Sequence, residues 1–168
     1  MTIRTFTNAR LIDPEAGTDE IGSLTIEDGA IIARDGRPAG EVIDCNGKCL
    51  APGIVDIGVK IGEPGERHKE GFRTAGRAAA AGGVTTMVTR PDTTPAIDTP
   101  ETLDFVKRRA RERAPVRVNP MAALTKGRAG REMVEMGFLM DAGAVAFTDC
   151  DHVIADNKVF SRTMTYAR

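Results

Sequence analysis

The sequence predicts an α/β protein in which a small β domain precedes part of a parallel-stranded domain. Two observations carry this prediction. The first fifty residues contain short β-branched segments separated by turn residues, which is typical of antiparallel strands. After residue 50, apolar strand-like segments alternate with helical patterns, which is typical of parallel strands joined by helical crossovers. We therefore divide the chain into residues 1–50 and 51–168.

The N-terminal part reads as a small β-sandwich-like domain. Asp28-Gly29 and Asn46-Gly47 are turn dipeptides of the kind that close hairpins, so two hairpins are predicted around them. The predicted strands cover residues 2–8, 23–27, 30–34, 41–44 and 48–50.

The second part contains four predicted strand and helix units. Glycine pairs or Ala-Gly close the helical patterns, and Leu103, Val106 and Ala110 give the second helix a buried face. Four units make half of an eight-stranded barrel, whose usual size is about 250 residues. A half barrel leaves strand edges unpaired, so we expect a complementary C-terminal half to complete it. The predicted strands are 54–59, 84–89, 116–124 and 144–149, and the predicted helices are 69–81, one opening at 98–101, 131–141 and 158–168.

Composition excludes several classes of partner. Hydrophobic residues make up 41% of the chain, charged residues 28%, and the net charge is −1, as in ordinary soluble globular proteins. Opposite charges are interspersed, so neither a nucleic-acid nor a membrane partner is predicted. Without an apolar run of about 18 residues or a signal sequence, a cytoplasmic location is expected. Cys45, Cys49 and Cys150 are too irregularly spaced for a disulfide framework.

The end of the first barrel strand is where chemistry is expected. Residues two apart on a strand face the same side, so Gly58 and Lys60 share a face at the carboxyl end of 54–59. Barrel enzymes build their active sites at this end. A hydrolytic metal centre needs lone pairs there, but glycine has no ligand atom and a protonated lysine has none to offer. No metal is expected at this position.

Several sequence blocks, in the same order along the chain, resemble dihydroorotases, which are metal-dependent cyclic amidohydrolases. The resemblance extends to the small N-terminal β domain and implies a (β/α)8 TIM barrel of the amidohydrolase type. Residues 51–168 would then be its first half. The blocks are APGIVD at 51–56, EPG at 63–65, HKE at 68–70, AAAAGGVTT at 78–86, PDTTP at 91–95, AALTKG at 122–127 and GAVAFTD at 143–149.

The resemblance also implies that the site is degenerate. In active relatives two metal-binding histidines stand where this chain has Gly58 and Lys60, and a substrate-binding arginine stands at Gly62. An asparagine that contacts substrate is replaced by Asp92, whose carboxylate would repel an acidic substrate. Asp149 matches a carboxylate that binds metal in similar dihydroorotases. No catalytic residue is assigned to this chain.

Two interpretations of Asp149 remain open. It is a metal ligand if a metal is retained, and otherwise an aspartate at a strand end that caps the following loop. If the metal is lost, we expect Lys60 to pair with Asp149, because an uncompensated buried carboxylate is costly. A weaker alternative is that His152 recruits a metal together with Asp149, Asp151 or Cys150.

Two functions follow from the resemblance. The first is a catalytically inactive dihydroorotase-like protein of pyrimidine biosynthesis, without a cofactor, that serves as a structural partner of aspartate carbamoyltransferase or as a homo-oligomer. The alternative is an active, zinc-dependent dihydroorotase or related cyclic amidohydrolase. It would interconvert carbamoyl aspartate and dihydroorotate through a rebuilt site.

Overall fold

A computed structural model describes residues 2–167 and divides the chain into two compact units that meet between Pro52 and Gly53. The first unit contains one five-stranded sheet, in which β3, β2, β1 and β4 are neighbours in that order and β5 also pairs with β1. The β1–β2 and β2–β3 pairs are antiparallel. Its strands are β1 (Ile3–Asp13), β2 (Thr18–Glu27), β3 (Ala30–Arg34), β4 (Glu41–Asp44) and β5 (Cys49–Leu50).

The hairpin predicted around Asn46-Gly47 is wrong. Strands β4 and β5 do not pair with each other, and both run parallel to successive parts of β1. Asn46 and Gly47 do adopt the left-handed conformation of a turn, with φ of 50° and 75°. The turn lies beside a bulge in β1 at Asn8, whose carbonyl accepts a hydrogen bond from Gly47 N at 2.8 Å. The dipeptide thus carries the chain past a bulge and does not reverse it.

The second unit is built on a parallel sheet in which β7 lies between β6 and β8. Residues 144–149, predicted as a fourth strand, run beside β8 but form only one bridge, between Ala122 and Phe147. Residues 53–167 therefore do not close a barrel. The elements are β6 (Ile54–Val59), α1 (Phe72–Ala81), β7 (Val84–Thr89), α2 (Pro100–Arg113), β8 (Arg117–Pro120), a 3-10 turn (Lys126–Arg128), α3 (Met136–Asp141) and α4 (Asn157–Tyr166).

Helices α1 and α2 pack on the sheet through one apolar core. Leu103, Val106 and Ala110 are buried, as the helical pattern predicted. Helix α2 begins after Thr99, whose hydroxyl accepts a hydrogen bond from Thr102 N. A glycine at position 76 allows α1 to approach α2 closely, because a Cβ there would lie 2.6 Å from a Pro115 ring carbon.

The third helix is shorter than predicted. The sequence favoured 131–141, but α3 starts only at Met136 because the preceding residues pair elsewhere. Met133 bridges to Thr125, and Val134 N donates to the carbonyl of Leu124 at 3.1 Å. Met136 is buried as predicted, whereas Met140 is 65% exposed and does not fill the core.

The last helix, predicted at 158–168, is α4, which Asp156 caps by accepting hydrogen bonds from Lys158 N and Val159 N. The predicted final residue, Arg168, lies outside the described residues. None of the helices in residues 2–167 is long and apolar enough to span a membrane.

Strand β6 carries exposed apolar side chains on both faces. Ile54 is 55% exposed and Ile57 is 72% exposed. Within the described residues 2–167, strand β6 has a sheet neighbour only on its β7 side. The exposed edge and faces agree with the expectation that a half barrel leaves apolar surface uncovered.

Replacing Leu103 with alanine is expected to lower the free energy of unfolding by about 3 kcal/mol, because the side chain is fully buried between α2 and the sheet. Urea unfolding followed by circular dichroism measures this change. Asp104→Ala, at the exposed neighbouring position of the same helix, is the matched control and should change stability by less than about 0.5 kcal/mol. Equal losses in the two variants would contradict the assigned core.

Candidate functional site

The candidate site lies at the carboxyl ends of β6 and β7. Lys60 directly follows β6 and Arg90 directly follows β7. Because β6 and β7 are parallel neighbours, Lys60 and Arg90 lie at the same end of the sheet, where both strands finish. A hydrogen bond of 2.9 Å from Arg90 N to the carbonyl of Val59 holds the two strand ends together.

The carboxylate of Asp92 binds both Lys60 and Arg90 at this end of the sheet. Its side chain is only 3% exposed, and its Oδ2 lies 3.1 Å from Lys60 Nζ and 2.8 Å from an Arg90 guanidinium nitrogen. Arg90 Nε also donates to Asp92 Oδ1 at 3.2 Å, so the guanidinium binds the carboxylate through two nitrogens. The buried charge of Asp92 is therefore compensated by two cations. Two of the positions at which this chain departs from the dihydroorotase pattern, Lys60 and Asp92, thus pair with each other.

The ion pair predicted between Lys60 and Asp149 is wrong, because Lys60 pairs with Asp92. The lysine side chain is 59% exposed. Asp149 is buried, and protein donors surround it. Its Oδ1 accepts hydrogen bonds from Leu124 N at 2.9 Å and Thr125 N at 3.0 Å, and its Oδ2 accepts one from the Thr125 hydroxyl at 2.5 Å. Asp149 thus has a structural role, but its carboxylate holds the segment at Leu124 and Thr125 and not, as the capping interpretation predicted, the loop that follows it.

The two glycines of the site have backbone geometries that oppose larger side chains. Gly58 has a φ of +94° and forms a bulge between Ile57 and Val59, so the regular alternation of β6 stops there. An L-residue at this φ is strained even though the space around Gly58 is open. At Gly62 the obstacle is steric, because a Cβ there would overlap the carbonyl oxygen of Glu66. A histidine at 58 or an arginine at 62 would require the backbone to move.

A loop of charged residues extends the site beyond Asp149. Asp151 pairs with Arg128 at 2.6 Å and lies 3.7 Å from Arg90, which links it to the Asp92 group. His152 Nδ1 lies 2.8 Å from the carbonyl oxygen of Arg128. Sequence reasoning missed Arg90 and Arg128, although Arg90 directly follows a predicted strand and could have been found by that position.

The thiol of Cys150 lies in the same loop. Burial raises the pKa of Cys150, and the Asp92 carboxylate adds to this effect, whereas hydrogen bonding to Arg90 opposes it. Without a metal, these effects together favour the uncharged thiol over the thiolate.

The residues present do not fit the metal that the resemblance implies. Gly58 offers no donor atom, the Lys60 ammonium is bound to Asp92, and both oxygens of Asp149 already accept protein hydrogen bonds. Among residues 2–167, no three His, Cys, Asp or Glu side chains are arranged so that they could hold a metal ion. The suggested grouping of His152 with Asp149, Asp151 or Cys150 is thus not formed.

Replacing Asp149 with asparagine is expected to lower the free energy of unfolding by about 2 kcal/mol, because an amide NH2 would face donors that now bind a carboxylate oxygen. Thermal and urea unfolding with and without a chelator measure this loss, which should not depend on the chelator. Asp156→Asn is the control, since asparagine also caps a helix well. Destabilisation of the unmodified protein by the chelator would contradict the purely structural role.

Comparison with known proteins agrees with the resemblance of the sequence blocks. Residues 47–168 match the family model described as Dihydro-orotase-like. A dihydroorotase-like protein of Pseudomonas aeruginosa is 41% identical over 163 residues, covering 95% of this chain and 38% of that protein. A dihydroorotase of Endomicrobium trichonymphae is 39% identical over 159 residues, again covering 95% of this chain and 38% of that protein. The chain thus spans well under half the length of these relatives.

Solved structures show the same relationship. The L-hydantoinase (dihydropyrimidinase) of Arthrobacter aurescens superposes with a TM-score of 0.74 and 27% sequence identity, covering 88% of this chain and 32% of that one. A D-hydantoinase structure superposes with a TM-score of 0.77 at 22% identity, covering 99% of this chain and 37% of that one, which supports the fold. From the match over residues 47–168, the chain belongs to the dihydroorotase-like family.

Proposed function

We propose that this chain is the N-terminal part of a catalytically inactive dihydroorotase-like protein, in which residues 51–168 supply the first half of a (β/α)8 TIM barrel. The observation that carries the proposal is the ion pair between Lys60 and Asp92, with a separation of 3.1 Å. It sets an ammonium group at a position where the family pattern has a metal-binding histidine.

The chemistry of ring-amide hydrolysis supports this proposal. A bound metal would activate water and polarise the amide carbonyl. Lys60 takes part in an ion pair with Asp92, and an ammonium group has no lone pair with which to bind a metal or accept a proton. The site also lacks the substrate-binding arginine, because Gly62 stands in its place and the Glu66 carbonyl leaves no room for a side chain there. These changes remove metal binding and substrate binding together.

We further propose that the protein acts in pyrimidine biosynthesis in the cytoplasm as a structural partner of aspartate carbamoyltransferase. The apolar core around α1 and α2 is intact although the site positions have changed. A protein that retains its fold without the site chemistry can still act through its surface. The resemblance to inactive dihydroorotase homologues that support this transferase favours it as the partner.

The purified protein is expected to contain far less than one zinc per chain and not to cyclise carbamoyl aspartate. Metal analysis after purification in zinc-containing buffer, together with a spectrophotometric cyclisation assay, measures both quantities. The variant Lys60→His should also bind no zinc, since Gly58 and Asp149 still provide no free ligand atom for the metal. An active dihydroorotase treated in parallel is the positive control. Stoichiometric zinc with turnover would establish the alternative of an active enzyme.

The protein is expected to co-purify with aspartate carbamoyltransferase from the same organism and to raise the thermal stability of that enzyme. Co-expression followed by size-exclusion chromatography and a transferase assay tests the interaction. A transferase that is equally stable and active without this protein would refute the partnership but not the loss of hydrolysis.

A further inference from the structure

A small cavity of about 120 Å³ lies beside the start of α1, away from the strand-end residues described above. None of Gly58, Lys60, Gly62, Asp92 or Asp149 lines it. Three of its lining residues are arginines, contributed by the loop before α1, by α1 itself and by the end of α2. The lining residues are Glu63, Arg67, Gly71, Arg73, Thr74 and Arg113.

The single carboxylate of the cavity is already neutralised. Arg109 donates to Glu63 Oε1 from NH2 at 2.8 Å and from Nε at 3.0 Å. The other oxygen, Oε2, accepts a hydrogen bond from Phe72 N at 3.3 Å. Both oxygens of the Glu63 carboxylate therefore already have hydrogen-bond partners. This carboxylate does not neutralise the positive charge of the three arginines that line the cavity.

The lining arginines are not paired with acidic side chains. Among residues 2–167, no carboxylate oxygen lies within 4.0 Å of the side-chain nitrogens of Arg67, Arg73 or Arg113. Two other acids lie near the cavity without lining it. Glu70 accepts a hydrogen bond from the Thr74 hydroxyl, and Glu112 lies 3.4 Å from Arg109.

Three exposed, positively charged side chains line one small cavity, so an anion bound there lies near more than one of them. Guanidinium groups bind tetrahedral and planar oxyanions through paired N–H donors. Three guanidinium groups suit a doubly charged anion better than a single carboxylate. We propose that Arg67, Arg73 and Arg113 form a binding site for a phosphoryl group, carried by a small phosphomonoester or present as free phosphate. This site does not depend on whether the strand-end site hydrolyses anything.

Calorimetric titration of the protein with inorganic phosphate and with glycerol 3-phosphate, at constant ionic strength, tests the proposal. We expect saturable binding of at least one probe at millimolar concentration or below, and the tighter probe identifies whether an ester or free phosphate is the natural form. Arg73→Gln and Arg113→Gln should each weaken binding about tenfold or more, since each removes a charge-assisted contact.

The matched controls are Arg77→Gln on α1 and Arg111→Gln on α2, which are exposed like the three lining arginines but do not line the cavity. They should leave the affinity within about twofold of the unmodified protein. Circular dichroism confirms that each variant is folded before titration. Absence of saturable binding to both probes, or an equal loss in the control variants, would overturn the proposal.

Discussion

The buried carboxylate of Asp92 is the constraint around which the strand-end site is arranged. A carboxylate with 3% exposure needs compensating charge, and here Lys60 and Arg90 provide it from the ends of two neighbouring parallel strands. The lysine is one of the cations of this group, and an ammonium has no lone pair with which to bind a dication. Lys60 and Asp92, which both differ from the residues that the resemblance leads one to expect, thus pair with each other.

The backbone at the two glycines of the site opposes larger side chains. Gly58 occupies a left-handed bulge and Gly62 packs against a carbonyl oxygen, so neither position accepts the side chain found in the family pattern. Asp149 has kept its carboxylate but uses it to hold the turn at Leu124 and Thr125. The carboxylate of Asp149 therefore has a structural use in this chain that needs no metal.

Sequence patterns predicted the elements that depend on local periodicity and failed where pairing partners decide. The buried positions of α2 and the capped start of that helix follow from helical spacing and from Thr99-Pro100. The Asn46-Gly47 turn was recognised, but its strands pair with β1, a choice that depends on distant residues. Likewise, the sequence places Lys60 at a strand end, as the structure does, but it predicts the wrong partner for this lysine. Which of two aspartates reaches the ammonium depends on loop geometry, and no periodic pattern encodes it.

We infer that the strand-end site holds a fixed ion pair in place of a divalent metal. Anomalous diffraction at the zinc absorption edge, from crystals of the protein grown with zinc in excess, decides whether this is so. We predict no anomalous peak between Lys60, Asp92 and Asp149, and a Lys60 amine that lies within hydrogen-bond distance of the Asp92 carboxylate. A zinc peak coordinated by Asp149, with Lys60 displaced from Asp92, would contradict this inference.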